Sequence, residues 1–328
     1  MNIFRTEILP APSDGKISLS SPLLTIGSCF SDSIGNKLNE SKFNVLSNPF
    51  GTVYNPLSIH GLLEKAIEKI LPEKASFLER DGMFLNYHFH SKFISTTEPD
   101  LARQIKESID TSHAIVNKAK VLIITYGTSY VFERTDTKEV VANCHKMPTS
   151  HFHKKILSVE EIVSSFHQLH EIIIKQLAVE KIILTVSPVR HIKDTLQLNS
   201  LSKSILRIAC QQLVNQYPGV EYFPAYEIMM DDLRDYRFYK NDMIHPNETA
   251  EDYIWEKFSD IYFDGPTIKF LNRWNEIRKA LAHRPFQSGS PAHKKFLTET
   301  LAQLEALKSV VNVEDEINQI RIRLASST

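Results

Sequence analysis

Leu23-Leu24-Thr25-Ile26-Gly27-Ser28-Cys29-Phe30 is the stretch on which the reading of this chain turns. Leu23 to Ile26 read as a buried strand, and Gly27 permits a tight turn. A helical pattern then runs from about Ser31 to Ser41, with Ile34 and Leu38 on one face. Cys29 therefore falls where a strand gives way to a helix. A helix N-terminus favours negative charge, lowers a thiol's pKa and offers N–H groups to an oxyanion. The plainer reading of a free cysteine is a small buried hydrophobe, and reactivity requires a base that this segment lacks.

The same alternation continues outward. Asn44 to Leu46 reads as a short strand, Pro56 to Ile70 as a helix, and Leu101 to Ala119 as another. Val121 to Thr125 is the clearest buried strand. A helix over Val159 to Leu177 precedes the strand Lys181 to Val186, and a helix over Asn199 to Gln216 precedes the strand Val220 to Phe223. Continuous apolar strands separated by amphipathic helices indicate a parallel sheet covered on both faces. Met83 to Phe93 alternates instead and reads as an added hairpin with Lys138 to Ala142. The chain divides at Phe263-Asp264-Gly265-Pro266 into residues 1–265, an α/β domain, and 266–328, a helical extension. In that extension Leu297, Leu301, Leu304 and Leu307, then Val313, Ile317, Ile320 and Leu324, form two apolar stripes around a breaker-rich gap from Arg284-Pro285 to Ser290-Pro291. The stripes suggest a helical hairpin packed on its own domain or on a second copy in a homodimer.

Composition narrows the function classes. Hydrophobic residues make up 42% and charged residues 23% of the 328, the balance of a globular protein. A net charge of −1 offers no general attraction for nucleic acid or anionic lipid. No apolar run approaches the roughly 18 residues of a membrane span, and the first residues lack a signal-peptide core. The three cysteines, Cys29, Cys144 and Cys210, contain no CxxC pair. The expectation is a cytoplasmic protein with reduced thiols and no membrane partner.

A second constellation lies in Tyr239-Lys240-Asn241-Asp242-Met243-Ile244-His245-Pro246-Asn247. An Asp three residues before a His in a loop can hold one ring nitrogen as N–H and leave the other free to take a proton. The plainer reading is a surface His beside a capping Asn247. Ser31-Asp32-Ser33-Ile34-Gly35 imitates a nucleophile motif, but Ser33 lies a full turn into the helix, away from the strand end. Among 13 histidines, His88 and His90 share a strand face with metal-like spacing, and His151 and His153 repeat it. No carboxylate is fixed beside them, so polar core histidines are the better reading and no metal is expected. Arg190, just past the Val186 strand end, is a candidate clamp for an acidic group or one half of a structural ion pair.

These blocks resemble the GSCFA family, whose fold is of the SGNH (GDSL-like) hydrolase type. Gly27-Ser28-Cys29-Phe30-Ser31 matches its name-giving signature with Ser31 in place of Ala. The likeness continues through Asn48 to Pro56, Tyr126 to Glu133, Val141 to Pro148, Ser187 to His191, and Leu233 to Asn247. The resemblance implies a three-layer, flavodoxin-like fold with a mainly parallel five-stranded sheet. It puts Cys29 at the nucleophile position, with Ser28 where Asp usually stands, Gly51 at the oxyanion glycine, and Asp242 with His245 as the orienting pair. Thr128-Ser129 stand where G-x-N would follow Gly127, leaving Asn143 or Ser129 to replace the usual Asn donor. His145 and Ser28 belong near the substrate.

The expectation is an acyl-transfer enzyme: an ester or thioester hydrolase, or an acyltransferase. It would need no cofactor and would act on a small molecule or acylated saccharide at the carboxyl ends of the strands. The alternative is a non-catalytic module that keeps the pocket to bind an acylated sugar or peptide. A metal-dependent hydrolase built on the histidines is the remaining reading.

Overall fold

In chain order the elements are β1 (Leu23–Gly27), α1 (Cys29–Glu40), β2 (Val45–Ser47), α2 (Pro56–Glu68), β3 (Phe77–Arg80), β4 (Met83–Asn86), α3 (Glu98–Val116) and β5 (Val121–Tyr126). There follow β6 (Tyr130–Arg134), β7 (Val140–Val141), β8 (Phe152–Ile156), α4 (Val159–Gln176), β9 (Lys181–Val186), α5 (Leu196–Gln216), β10 (Val220–Phe223) and the short α6 (Ala225–Glu227). The chain ends with α7 (Glu248–Tyr262), α8 (Gly265–Ala282), α9 (Pro291–Glu305) and α10 (Glu314–Ser326). This computed structural model describes residues 6–193, 195–283 and 290–326.

β2, β1, β5, β9 and β10 pair in that order, all parallel. The order is that of doubly wound sheets of the flavodoxin type, whose ligands gather at the carboxyl ends of the strands. Every residue of β1, β5 and β9 is buried, because helices cover the sheet on both faces and leave no side for alternating polar residues. The core runs from Leu24 and Ile26 through Leu122, Ile124 and Leu184 to the inner faces of α2, α3, α4 and α5.

Two smaller sheets flank this core. β3 and β4 form an antiparallel hairpin, and β6 pairs antiparallel with both β7 and β8. The expected pairing of Met83–Phe93 with Lys138–Ala142 is therefore corrected. β4 spends its edge on β3 across the two-residue turn Asp81-Gly82, and β7 spends its edge on β6. What survives is a looser contact in which the Ala142 and Asn143 amides donate to the Tyr87 carbonyl. His88 and His90 are also parted. They follow the end of β4, where His88 pairs with Glu139 at 3.1 Å while His90 lies against Gly51. No group of three metal-ligating side chains occurs among the described residues, and no helix there is long and apolar enough to cross a membrane.

The chain separates into two compact units, the second formed by residues 16–19, 40–42 and 263–328. In the second unit both apolar stripes close on each other and on α8, burying Leu297, Leu304, Ile317 and Ile320 with Trp274 and Ile277. The indole N–H of Trp274 donates to the Glu40 carbonyl at 2.7 Å. Arg284 to Gly289, most of the breaker-rich gap, lie outside the described residues.

Within the first unit one buried imidazole joins three elements. His60 on α2 is 3% exposed. It hydrogen-bonds through Nδ1 to the Ser165 hydroxyl on α4 at 2.8 Å and through Nε2 to the Tyr126 hydroxyl at the end of β5 at 2.7 Å. Burial pulls its pKa down from 6.5 to about 3. The unfolded chain therefore takes up a proton below about pH 6.5 that the folded chain refuses until about pH 3. One such proton removes up to about 1.4 kcal/mol of stability per pH unit across that window as pH falls. Denaturant unfolding at pH 7, 5.5 and 4.5 should show a shallower fall for His60→Gln than for the wild type. Equal slopes in the two proteins would contradict the assignment.

Candidate active site

Cys29 is the first residue of α1, two residues earlier than the apolar periodicity places the helix start. The chain reaches it through Gly27, whose N–H donates to the Asn48 side chain at 2.8 Å and whose carbonyl accepts from Val53 at 2.9 Å. The first amides of a helix have no intrahelical acceptor; of those at the start of α1, the Ser31 amide donates to the Ser28 carbonyl at 2.7 Å. Ser28 is 1% exposed, its Cβ packed toward Gly127.

Asp32, one turn into α1, fixes the loop after β2. Its Oδ1 accepts from the Asn48 amide group at 2.7 Å and its Oδ2 from the Thr52 hydroxyl at 3.1 Å. That loop delivers Tyr54, whose hydroxyl lies 3.6 Å from Cys29 Sγ. Burial first, then the hydrogen bond to Cys29, pushes the Tyr54 pKa well above the usual phenol value. The Tyr54 ring stands edge-on to His191, centroids 5.4 Å apart. Gly127 closes this corner. A Cβ there would lie 3.1 Å from Ser28 Cβ, 3.2 Å from His191 Nε2 and 3.2 Å from the Tyr54 carbonyl oxygen, so any side chain would push the three apart.

The second arm is the loop after Tyr239. The Asp242 carboxylate serves two purposes. Oδ1 accepts from the amides of Ile244 and His245, at 2.9 and 3.0 Å, and Oδ2 accepts from His245 Nδ1 at 2.7 Å. Those contacts, the His245 amide foremost, hold the Asp242 pKa down to about 2. With Nδ1 committed to the carboxylate, Nε2 is the nitrogen left for proton transfer. Lys240 donates its amide to the His245 carbonyl, and Arg190 donates its amide to the Ile244 carbonyl at 3.2 Å, tying this loop to the end of β9. The Arg190 guanidinium rests 4.1 Å from the Tyr239 ring centre and 5.3 Å from that of Tyr236. It is held by aromatic faces, with no carboxylate in ion-pair range among the described residues.

Four further sequence-derived site residues make contacts of their own. The Gly51 amide donates to the Asn48 carbonyl at 2.8 Å and is already spent on a turn. Ser129 is fully buried, its amide and hydroxyl both bonded to the Ser202 hydroxyl at 2.8 and 3.1 Å. The side-chain oxygen of Asn143 accepts the His145 amide at 2.8 Å. His145, 5% exposed, bonds the Asn86 carbonyl through Nε2 and braces the hairpin. Ser33 lies inside α1. Tyr54, His191 and Asp32 carry contacts that residue patterns did not single out, although Tyr54 and His191 stand inside the blocks quoted above.

A family model described as GSCFA family matches residues 22–258, and one described as GSCFA domain protein, C-terminal domain, matches residues 274–326. Among curated proteins none matches. A solved structure from Streptococcus pneumonia, whose description names a platelet activating factor, aligns at 12% identity with a TM-score of 0.40. The alignment covers 74% of this chain and 83% of that one.

Burial raises the Cys144 pKa to about 11 and pushes Cys210 higher still, so neither thiol competes well for an alkylating reagent near neutral pH. Tyr54→Phe removes the hydroxyl beside Cys29 Sγ while keeping the ring. A hydrogen bond to a thiolate is worth enough that Cys29 alkylation at pH 7 should slow about fivefold. Peptide mapping after iodoacetamide treatment reads this directly, and an unchanged rate would show that the contact does not act on the thiol.

Proposed function

The chain belongs to the GSCFA family, and from that premise we propose that it is an SGNH-type acyl-transfer enzyme working through Cys29, His245 and Asp242. The observation that carries the reading is the Asp242–His245 pair. A carboxylate fixed by two amides points at one ring nitrogen from a loop tied to the end of β9. Cys29 stands at the end of β1, on the carboxyl side of the same parallel sheet.

In this reading His245 Nε2 takes the Cys29 proton and the thiolate attacks the carbonyl carbon of an ester or thioester. The amides opening α1 take the oxyanion charge, since Gly51 and Ser129 are engaged elsewhere. The tetrahedral intermediate collapses to a thioester on Cys29 as the imidazolium returns the proton to the leaving group. Water or a second acceptor, deprotonated by the same imidazole, then releases the acyl group. Arg190 would meet an acidic part of the substrate. No step calls for a cofactor.

A panel of activated esters and thioesters tests the reading. Cys29→Ala should abolish turnover and Cys29→Ser should leave a small residue, because a hydroxyl is the poorer nucleophile near neutral pH. His245→Ala should cost about as much as Cys29→Ala, since groups acting as one unit give non-additive losses. Asp242→Ala should cost less. His191→Ala, which removes the imidazole edge-on to Tyr54, should change turnover less than His245→Ala; the reverse order would move the base to His191. Melting temperatures should stay within a few degrees throughout. If nothing in the panel is turned over while Cys29→Ala binds an acylated sugar or peptide as tightly as the wild type, the chain is a binding module.

A further inference from the structure

α5 turns Leu206, Ala209, Cys210 and Leu213 into the core, and on that same face it carries Ser202 and Lys203. Lys203 is 1% exposed. Its Nζ donates to the Gly127 carbonyl and to the Ser187 carbonyl, both at 2.7 Å. These two residues stand one past the ends of β5 and β9, where the strands stop pairing and their carbonyls lose neighbouring-strand donors. We propose that Lys203 is the positioning residue of the candidate site, joining the arm that carries Cys29 to the arm that carries His245.

Both arms can be followed bond by bond. The Thr128 amide, in the same peptide unit as the carbonyl Lys203 holds, donates to the Tyr54 carbonyl at 3.1 Å, as does the Gly127 amide at 2.8 Å. The Tyr54 hydroxyl touches Cys29 Sγ. On the other side Ser187 opens the segment Pro188-Val189-Arg190, and the Arg190 amide holds the Ile244 carbonyl beside His245. Ser202 adds a second grip by accepting the Ser129 amide at 2.8 Å and hydrogen-bonding the Thr128 hydroxyl at 3.0 Å.

The surroundings of Lys203 suit a clamp rather than an ion pair. No carboxylate lies in ion-pair range among the described residues, and the ring facing the ammonium is that of Tyr226, 5.8 Å from its centre. Burial alone draws the Lys203 pKa from 10.5 to about 7. A side chain so costly to bury is retained where two strand-end carbonyls would otherwise be buried without donors. It is also outside the proposed chemistry, since its hydrogen bonds go to backbone carbonyls only.

The proposal rests on the Cys29–His245 reading for one arm of its test and on backbone geometry alone for the other. On the full chain, the rate of Cys29 alkylation at pH 7 is measured for wild type, His245→Ala, Lys203→Met and the double variant. Methionine keeps the buried stem and removes the donors. His245→Ala should slow alkylation about tenfold in the wild-type background and no more than about twofold beside Lys203→Met, because the two arms are then no longer held in register. In parallel, amide exchange at Gly127 and Thr128 should quicken at least about tenfold in Lys203→Met while Ile123 and Ile124 keep their protection. A folded Lys203→Met in which His245→Ala retains its full effect overturns the proposal. If His245→Ala has no effect even in the wild type, the Cys–His reading fails, and exchange at Gly127 and Thr128 alone decides: faster supports the clamp, unchanged overturns it. Should Lys203→Met not fold, Lys203→Leu, which likewise removes the donors on a shorter apolar stem, takes its place with the same criteria.

Discussion

Gly27 meets Thr125 so closely that a side chain cannot stand between them, and the geometry of the site follows from that approach. Gly27 has φ +142°, and a Cβ on it would lie 2.1 Å from the Thr125 carbonyl oxygen. The same oxygen accepts the Ser28 amide at 3.1 Å. β1 is thereby held against β5 through its last residue, and the chain has no slack in which to drift before helix α1 begins. Cys29 becomes the first residue of that helix because the turn is completed within Gly27 and Ser28. With its own N–H and carbonyl given to the loop after β2, Gly27 also determines where Tyr54 falls.

Polar side chains inside the first unit hold the backbone near the strand ends. Asp32 organises the loop from Asn48 to Thr52, His60 ties α2 to α4 and β5, and Ser202 with Lys203 holds the segments after β5 and β9. A satisfied hydrogen bond contributes about 1 kcal/mol net, whereas a buried group left without one costs about 1–3 kcal/mol. The balance therefore favours networks that are complete, and an incomplete one would loosen the place where a substrate must be met. Arg190 follows a different logic. Stacked on Tyr239 and Tyr236, its guanidinium is held by aromatic faces, with no carboxylate in ion-pair range among the described residues.

Much of the fold was legible because burial on both faces of a parallel sheet leaves a continuous apolar run. Val121 to Thr125 and Lys181 to Val186 stand out on that ground alone. The hairpin was misjudged for the opposite reason. Met83 to Asn86 and Val140–Val141 are short edge segments, and alternation identifies a half-buried strand without saying which neighbour completes it. Lys203 left a trace that is visible only in hindsight: it lies in step with Leu206, Cys210 and Leu213, so a lysine occupies the core stripe of its helix.

For the candidate site, the sequence by itself determined the local pieces. Gly27-Ser28-Cys29 is a strand-to-helix turn bearing a thiol, and Asp242 with His245 is a spacing that lets a carboxylate orient an imidazole across one short loop. Both are short-range matters, decided by which backbone angles and reaches neighbouring residues allow. Only the tertiary structure decided which long-range partners each group takes. It gave the Gly51 amide to Asn48, Ser129 to Ser202 and the Tyr54 hydroxyl to Cys29, and it brought Lys203 between two strands. Hydrogen bonds between residues dozens of positions apart depend on strand order and helix packing, and no local pattern encodes that geometry because it exists only once the sheet has closed.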